Sequence, residues 1–233
     1  MSEPNQKNLP RCANCGVPKP EKICITKEGR GPKFCPTLHE TEAIEAAVQL
    51  LEDPQTLEFA RQAAIQEAEC YINRDKKPFV VHPVKPRLQE IVEFAHKMKY
   101  KRLGLVFCDG FYKEALAVAK VLKRQGFDVV SAICKAGGVP KERIGLKQEE
   151  KIRIGAEENM CNPLAQAELM NRAHTELNIV LGLCVGHDSL FLKHAEAYST
   201  ILAVKDRVMG HNPLAAVYTL ESYSERFLKT ELR

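Results

Sequence analysis

The sequence predicts an α/β protein: a Rossmann-like, three-layer parallel sheet with helices on both faces, preceded by a small Cys-rich N-terminal segment. Three observations carry this expectation. Short apolar runs at 102–107, 127–133, 177–183 and 200–204 alternate with segments of helical period, the pattern of parallel strands covered on both faces. The first three runs each end in a Cys, at Cys108, Cys134 and Cys184. Residues 1–37 differ in kind, holding Cys12, Cys15, Cys24 and Cys35 among Pro and Gly, with few large aliphatics.

The elements follow in order. Segment 1–37 has too little apolar surface to build a core, and a bound metal can supply the missing folding energy. Residues 38–99 form a helical region expected to pack on the α/β core. A helix over 38–51 places Ile44, Val48 and Leu51 at helical spacing. Asp53-Pro54 then reads as an N-cap with Pro at the first helical position. That helix is expected to run to about Ile72, with Leu57, Ala60, Ala64, Ala68 and Cys70 near one face. Cys70 reads as a buried small hydrophobe. Pro78, Pro83 and Pro86 make a link, and a further helix spans 87–99.

Residues 100–233 form the α/β domain. The first apolar run leads into Cys108-Asp109-Gly110, and a helix over 112–124 is stopped by Gly126. The second run ends at Cys134, and a long polar loop follows. Asn162-Pro163 opens the next helix, and His187 starts a short one after the third run. Segments of helical period follow the fourth run to Arg233. No G-x-G-x-x-G follows the first strand, so a nicotinamide or flavin site is not expected by that route.

Composition bounds the function classes. A chain of 233 residues with 45% hydrophobic and 27% charged content is an ordinary globular protein, which excludes low-complexity disorder and fibrous repeats. Its length suffices for a core without disulfide staples. The net charge of +4, from 34 Lys+Arg against 30 Asp+Glu, is too small and too evenly spread to argue for nucleic acid. The first residues carry no apolar run and are not a signal peptide. No stretch approaches the ~18 apolar residues of a membrane span. A cytoplasmic protein with no membrane association is therefore expected. In that reducing compartment, spaced Cys are more often metal ligands or catalytic thiols than disulfides.

The nine Cys divide into two sets of four and a spare. Cys12-x2-Cys15, Cys24 and Cys35-Pro36 form the first set. Two thiolates on one tight turn make half of a tetrahedral site, and Gly16 lets backbone amides face sulfur. The second set has no local motif. Cys108, Cys134 and Cys184 end predicted parallel strands, and Cys161 sits just before a helix. In an open α/β sheet all four fall along one edge, where ligands bind.

His187, in Cys184-Val-Gly-His187-Asp188, and His211, in Gly210-His211-Asn-Pro213, lie in loops opening on the same edge. They could ligate a metal, donate to a cluster sulfur or act as acid–base groups. Asp109, Asp188, Lys205 and Asp206 share this rim, and Asp188 joins His187 and His211 as a candidate cofactor-binding residue. His39, His82, His96, His174 and His194 read as surface or packing residues. Cys161-Asn-Pro-Leu-Ala165 echoes His211-Asn-Pro-Leu-Ala215. Each aims a helix N-terminus at whatever the preceding residue holds.

These motifs together resemble a known family. The residues are Phe34-Cys35-Pro36-Thr37, Phe107-Cys108-Asp-Gly, Cys161-Asn-Pro-Leu-Ala-Gln166, Leu183-Cys184-Val-Gly-His-Asp-Ser189 and Ala203-Val-Lys-Asp-Arg207. The sequence is similar to a Cys-rich family of archaea and anaerobic bacteria, catalogued as a domain of unknown function and described as metal-binding from its Cys pattern. The resemblance covers nearly the whole chain and implies metal binding without a reaction. It also implies a third N-terminal Cys closer to Cys15 than Cys24 is here.

Four-thiolate sites suit zinc or iron–sulfur. The expectation is a [4Fe–4S] cluster at Cys108, Cys134, Cys161 and Cys184, since four ligands spread along a sheet edge frame a wider cavity than a zinc knuckle. Zinc or a second iron–sulfur cluster is expected at Cys12, Cys15, Cys24 and Cys35. The leading function is redox, electron transfer or sensing, with a redox partner protein. The alternative is a zinc-binding module or metal carrier without turnover. A third reading is a nucleic-acid-binding zinc ribbon with Lys19, Lys22, Lys27, Arg30 and Lys33 as its basic face. It is disfavoured because Phe34 is the segment's only stacking aromatic. Two filled four-thiolate sites, each at −2, would bring the chain's +4 to about zero.

Overall fold

The computed structural model describes residues 9–232. The chain forms two compact units, one ending at Ile65 and one beginning at Gln66.

In the first unit, Cys12–Asn14 and Lys19–Glu21 form single 3-10 turns. An isolated bridge pairs Lys22 with Arg30, and the Arg30 guanidinium reaches Glu21 at 2.7 Å. Helix α1 is the single turn Pro36–His39, with Pro36 at its start after Cys35. Helix α2 spans Thr41–Gln49. The single helix expected from 38 is thus broken at Glu40, whose φ of −117° and ψ of 40° leave the helical region. The break is visible as a slip of phase: Leu38 and Ile44 are not at helical spacing, whereas Ile44, Val48 and Leu51 are. Helix α3, Pro54–Glu69, starts as expected. Asp53 caps it by accepting from the Thr56 amide at 2.7 Å, as short carboxylates do for an orphan N–H.

Helix α3 ends three residues earlier than its periodicity suggests. Strand β1, Tyr71–Ile72, pairs antiparallel with β2, His82–Pro83. An aromatic and a β-branched residue here take a partner strand in preference to another helical turn. Helix α4 is Arg87–Lys97, burying Ile91, Val92 and Ala95.

The rest is the expected sheet. Strand β3 is Arg102–Phe107, α5 is Tyr112–Arg124 and β4 is Asp128–Ile133. Helix α6 is Pro163–Arg172, β5 is Leu177–Leu183, α7 is His187–His194 and β6 is Ser199–Val204. Short helices α8, Leu214–Tyr218, and α9, Arg226–Lys229, close the chain. The strands lie in the order β4-β3-β5-β6, all parallel.

Burial follows this order. Every residue of β5 and all but Arg102 of β3 are buried, while edge strands β4 and β6 are only partly covered. Central strands covered on both faces read as continuous apolar runs. Fully buried Leu103, Leu105, Leu122, Met170, Ile179 and Phe191 anchor the core.

Connection β3–α5–β4 steps one way along the sheet, and β4–α6–β5 and β5–α7–β6 step the other. Right-handed crossovers therefore put α5 on one face and α6 with α7 on the other, and α6 packs on α7. The direction reverses between β3 and β5. Their carboxyl ends open a switch-point crevice, where doubly wound sheets bind ligands.

Candidate functional site

Cys108 follows β3, Cys134 follows β4 and Cys184 follows β5. Backbone bonds fix them at one level. The Cys108 amide donates to Leu181 O at 3.2 Å, and that of Cys134 to Phe107 O at 2.8 Å. The Asn162 amide donates to Cys134 O at 2.7 Å, which ties the loop carrying Cys161 to the end of β4. Asn162 caps α6 by accepting from the Ala165 amide at 3.0 Å.

The sulfurs of Cys108 and Cys134 lie within 4.8 Å of each other, and the Cys134 thiol acts electrostatically on both Cys108 and Cys161. Asp109 joins them. Its backbone amide points at Cys134 Sγ, 3.4 Å away, and its Oδ1 lies 3.4 Å from Cys108 Sγ. Among the described residues, Cys108, Asp109 and Cys134 are the set of three whose ligand atoms all lie within 4.8 Å of one another. The two sulfurs are buried and the carboxylate is exposed.

Two cations face the sulfurs from the segment after β6. Lys205 Nζ donates to Cys108 Sγ at 2.7 Å, and the Arg207 guanidinium donates to Cys184 Sγ at 3.1 Å. The Lys205 ammonium also lies 5.5 Å from the Phe111 ring centre. Its amide bonds Leu183 O at 3.2 Å, which anchors the side chain between the β3 and β5 ends.

These contacts divide the thiols. The neighbouring Cys134 thiol, then Lys205 and the Gly110 amide, pull Cys108 down to about 5 against its burial. Cys161 is lowered to about 6, first by Cys134 and then by the charges of Lys135 and His187. Cys134, between two thiolates, is pushed far up and keeps its proton. Burial alone would lower the Lys205 ammonium, but its bond to Cys108 and the charges of Cys108 and Cys184 raise it. A thiolate is the form that binds metal.

The predicted rim residues are placed as follows. His187 is the first residue of α7, its amide bonded to Cys184 O at 3.0 Å, and its charge acts on Cys161. Asp188, the second residue of α7, accepts from the Ser189 amide at 2.7 Å. His211 stacks on Phe111 with ring centres 4.4 Å apart. Its Nδ1 accepts from the Asp206 amide at 3.2 Å, so that nitrogen is already engaged.

Three residues were not singled out from the sequence. Arg207 lies two residues beyond Lys205, at the start of the turn that follows β6, and its charge was the available signal. Phe111 is buried at 4% exposure beneath the rim. Gly182 makes room for it: its φ is +68°, and a Cβ there would lie 2.2 Å from the ring. The β5–β6 register shifts at the same place, and glycine bulges in strands often mark sites.

In the first unit, Cys12, Cys15, Cys24 and Cys35 all line one concavity with Lys22, Pro32, Phe34, Pro36 and Thr37. Gly31 is needed there, because a Cβ would come within 2.8 Å of Cys35 Sγ. No three of these sulfurs are among the described sets within 4.8 Å. Tetrahedral zinc at about 2.3 Å per thiolate requires sulfurs roughly 3.8 Å apart, so the set would have to contract around a single ion. Cys70 stands apart, 7% exposed, with its thiol donating to Gln66 O at 3.1 Å.

Among the described residues no helix is long and apolar enough to cross a membrane. No solved structure matches the chain. A curated relative, "Uncharacterized protein MJ0455" of Methanocaldococcus jannaschii, is 37% identical over 209 residues, covering 90% of this chain and 94% of that protein. Residues 35–202, which contain the whole strand-end Cys set, match the family described as "Protein of unknown function (DUF1847)". With that match over most of its length and a full-length archaeal relative, the chain belongs to the DUF1847 family.

Proposed function

We propose that the protein binds metal through two four-cysteine sets, with a [4Fe–4S] cluster held by Cys108, Cys134, Cys161 and Cys184 for redox, electron transfer or sensing. The observation that carries this is the paired placement of thiols and cations at one sheet edge. Cys108 and Cys134 lie within 4.8 Å of each other, the Cys134 thiol acts on Cys161, Cys184 ends the neighbouring strand, and Lys205 and Arg207 donate to Cys108 and Cys184. Four thiolates around a +2 core leave −2, which these two cations balance. The donor set fits the group: soft ligands, largely buried, with backbone and side-chain N–H groups aimed at sulfur. When bound, such a cluster would supply one-electron chemistry.

In the N-terminal set, Cys12, Cys15, Cys24 and Cys35 share a concavity in a segment with no buried apolar residue among its described residues. Bound zinc or a second cluster there would supply folding energy that burial does not. A protein with clusters of this kind would work with a redox partner protein in the cytoplasm.

A second reading has its own observation. Cys108, Asp109 and Cys134 offer two sulfurs and an exposed oxygen within 4.8 Å, a mixed set suited to a single borderline divalent ion. It describes a zinc-binding module or metal carrier without turnover. Anaerobic purification with iron, zinc and sulfide counts decides between the two. Brown protein with about four iron and four sulfide per cluster supports the cluster. Colourless protein holding only zinc overturns it. Cys184→Ser should empty the strand-end site alone and Cys15→Ser the N-terminal one alone; metal content unchanged in both refutes the ligand assignment.

A further inference from the structure

We infer that Lys205 sets the reduction potential of the strand-end centre, by holding a fixed positive charge in hydrogen-bond contact with the Cys108 sulfur. The inference rests on the proposal that this centre holds an iron–sulfur cluster, and it adds what regulates that cluster.

Lys205 is placed for sulfur and for little else. Its Nζ lies 2.7 Å from Cys108 Sγ. No carboxylate lies within ion-pair distance of it among the described residues. Its surroundings fit it closely: the Phe111 ring lies on one side, and Gly110 on another, where a Cβ would meet Nζ at 3.1 Å. Fixing a lysine side chain costs rotamer entropy. Here that cost is offset by contact with a thiolate and an aromatic face.

The electrostatic consequence has a definite sign. Four thiolates around a +2 core carry −2, and adding one electron makes −3. A fixed +1 at hydrogen-bond distance, partly shielded from water, stabilises the −3 state more than the −2 state. Lys205 therefore makes reduction easier. One electron is gained from a low-potential one-electron donor, dithionite in the test, which is itself oxidised. No bond breaks and no proton moves. Arg207 acts in the same direction on Cys184 but is exposed to solvent, where charges are screened, so its share is smaller. Hydrogen bonds to sulfur and local charge are the means by which a protein tunes such potentials.

The test uses the full chain, purified without oxygen, with iron and sulfide counted before a spectroelectrochemical titration. Wild type is compared with Lys205→Met, Lys205→Gln, Lys205→Arg, Gly110→Ala and Arg207→Met. The neutral Lys205 variants should shift the reduction equilibrium at least tenfold toward the oxidised form, about 59 mV more negative for one electron. Lys205→Arg should stay near wild type. Arg207→Met should shift less than Lys205→Met. Gly110→Ala, which crowds the ammonium away from Cys108 while keeping every charge, should fall between. Wild-type protein without iron and sulfide overturns the cluster proposal, and this inference with it. Loaded wild type and loaded neutral variants at the same potential overturn this inference alone. If neither neutral variant retains iron, Gly110→Ala decides, and an unchanged potential there overturns it.

Discussion

The Gln166 side-chain amide donates to the Phe107 carbonyl at 3.1 Å, one residue before Cys108. The same amide donates to the Ala132 carbonyl at 2.8 Å, two residues before Cys134. A fully buried side chain on α6 thus fastens together the two strand ends that carry the central thiols. Spacing of the two sulfurs depends on a residue that touches neither.

Gln166→Ala should therefore damage both stability and the site. It leaves two buried carbonyls without this donor and opens a cavity, at a cost of about 2–4 kcal/mol. The unfolding temperature should fall by roughly 5–10 °C. Metal content per chain should fall even in the protein that remains folded. A Gln166→Ala protein with wild-type stability and full metal content would show that the strand ends hold their places without it.

Gly182→Ala tests the bulge at the crevice. A Cβ would stand 2.2 Å from the Phe111 ring at a φ of +68°. Left-handed backbone and overpacking together cost about 2–5 kcal/mol. Phe111 must move, and His211 and Lys205 rest on it. Thermal unfolding should show the loss, and Gly182→Ala combined with Phe111→Ala should lose less stability than the sum of the two single losses.

Much of this was legible in the sequence because the chain repeats one physical pattern. The β3, β4 and β5 runs end where their apolar character ends, so Cys108, Cys134 and Cys184 could be placed at strand ends by reading alone. Two parallel central strands buried on both faces leave little ambiguity. Gly182 was not legible, since a glycine inside an apolar run looks like a small core residue until its φ is known. Arg207 looked like any surface cation. The β1–β2 pair was hidden because Tyr71 and Ile72 continue a helical period, and only their partners Pro83 and His82 make them a strand. Strand order, which brings Cys108 and Cys134 to neighbouring strand ends, is a long-range property that no local window contains.

The metal-free protein should show divided thiol reactivity. Cys161 is partly exposed and held down to about 6 by the Cys134 thiol and nearby cations. Its alkylation by iodoacetamide should rise through a midpoint near pH 6, well below that of an ordinary thiol. Cys134 should stay unmodified at neutral pH, because the thiolates on either side push it up. Cys134→Ala removes the donor and should return the Cys161 midpoint toward about 8.5. Peptide mapping across pH 4–10 reads both effects. The signs also fix how stability varies with pH. Lowered folded values at Cys108 and Cys161 make the metal-free protein more stable as pH rises from about 5 to 8.5. Above that, the raised value at Cys134 takes stability away.

Acid should act elsewhere, at Glu93. Its carboxylate accepts from Lys85 at 2.6 Å, Gln66 at 2.9 Å and Gln89 at 2.8 Å. The Lys85 bond, helped by the two amides, overcomes partial burial and holds it at about 2. A folded value below the ordinary 4.5 contributes stability above that pH. The contribution is lost as pH falls from about 4.5 toward 2. Glu93→Gln should cost about 1–3 kcal/mol at pH 7, read as a lower unfolding temperature. The gap from wild type should close by pH 2; a gap that stays constant would mean the loss is steric.

Cys70 supplies the test of the division into four, four and one. It is 7% exposed, donates to Gln66 O at 3.1 Å and sits beside Lys85 and Glu90. Burial pushes its thiol up, the opposite of what a metal ligand needs. Cys70→Ala should cost about 1 kcal/mol for a lost hydrogen bond and a small void. Iron, zinc and sulfide per chain should match wild type, whereas Cys184→Ser and Cys15→Ser each remove one site. Metal lost on replacing Cys70 would show that one of the two sets draws its fourth ligand from this helix end, and that one of the eight assigned cysteines is the spare.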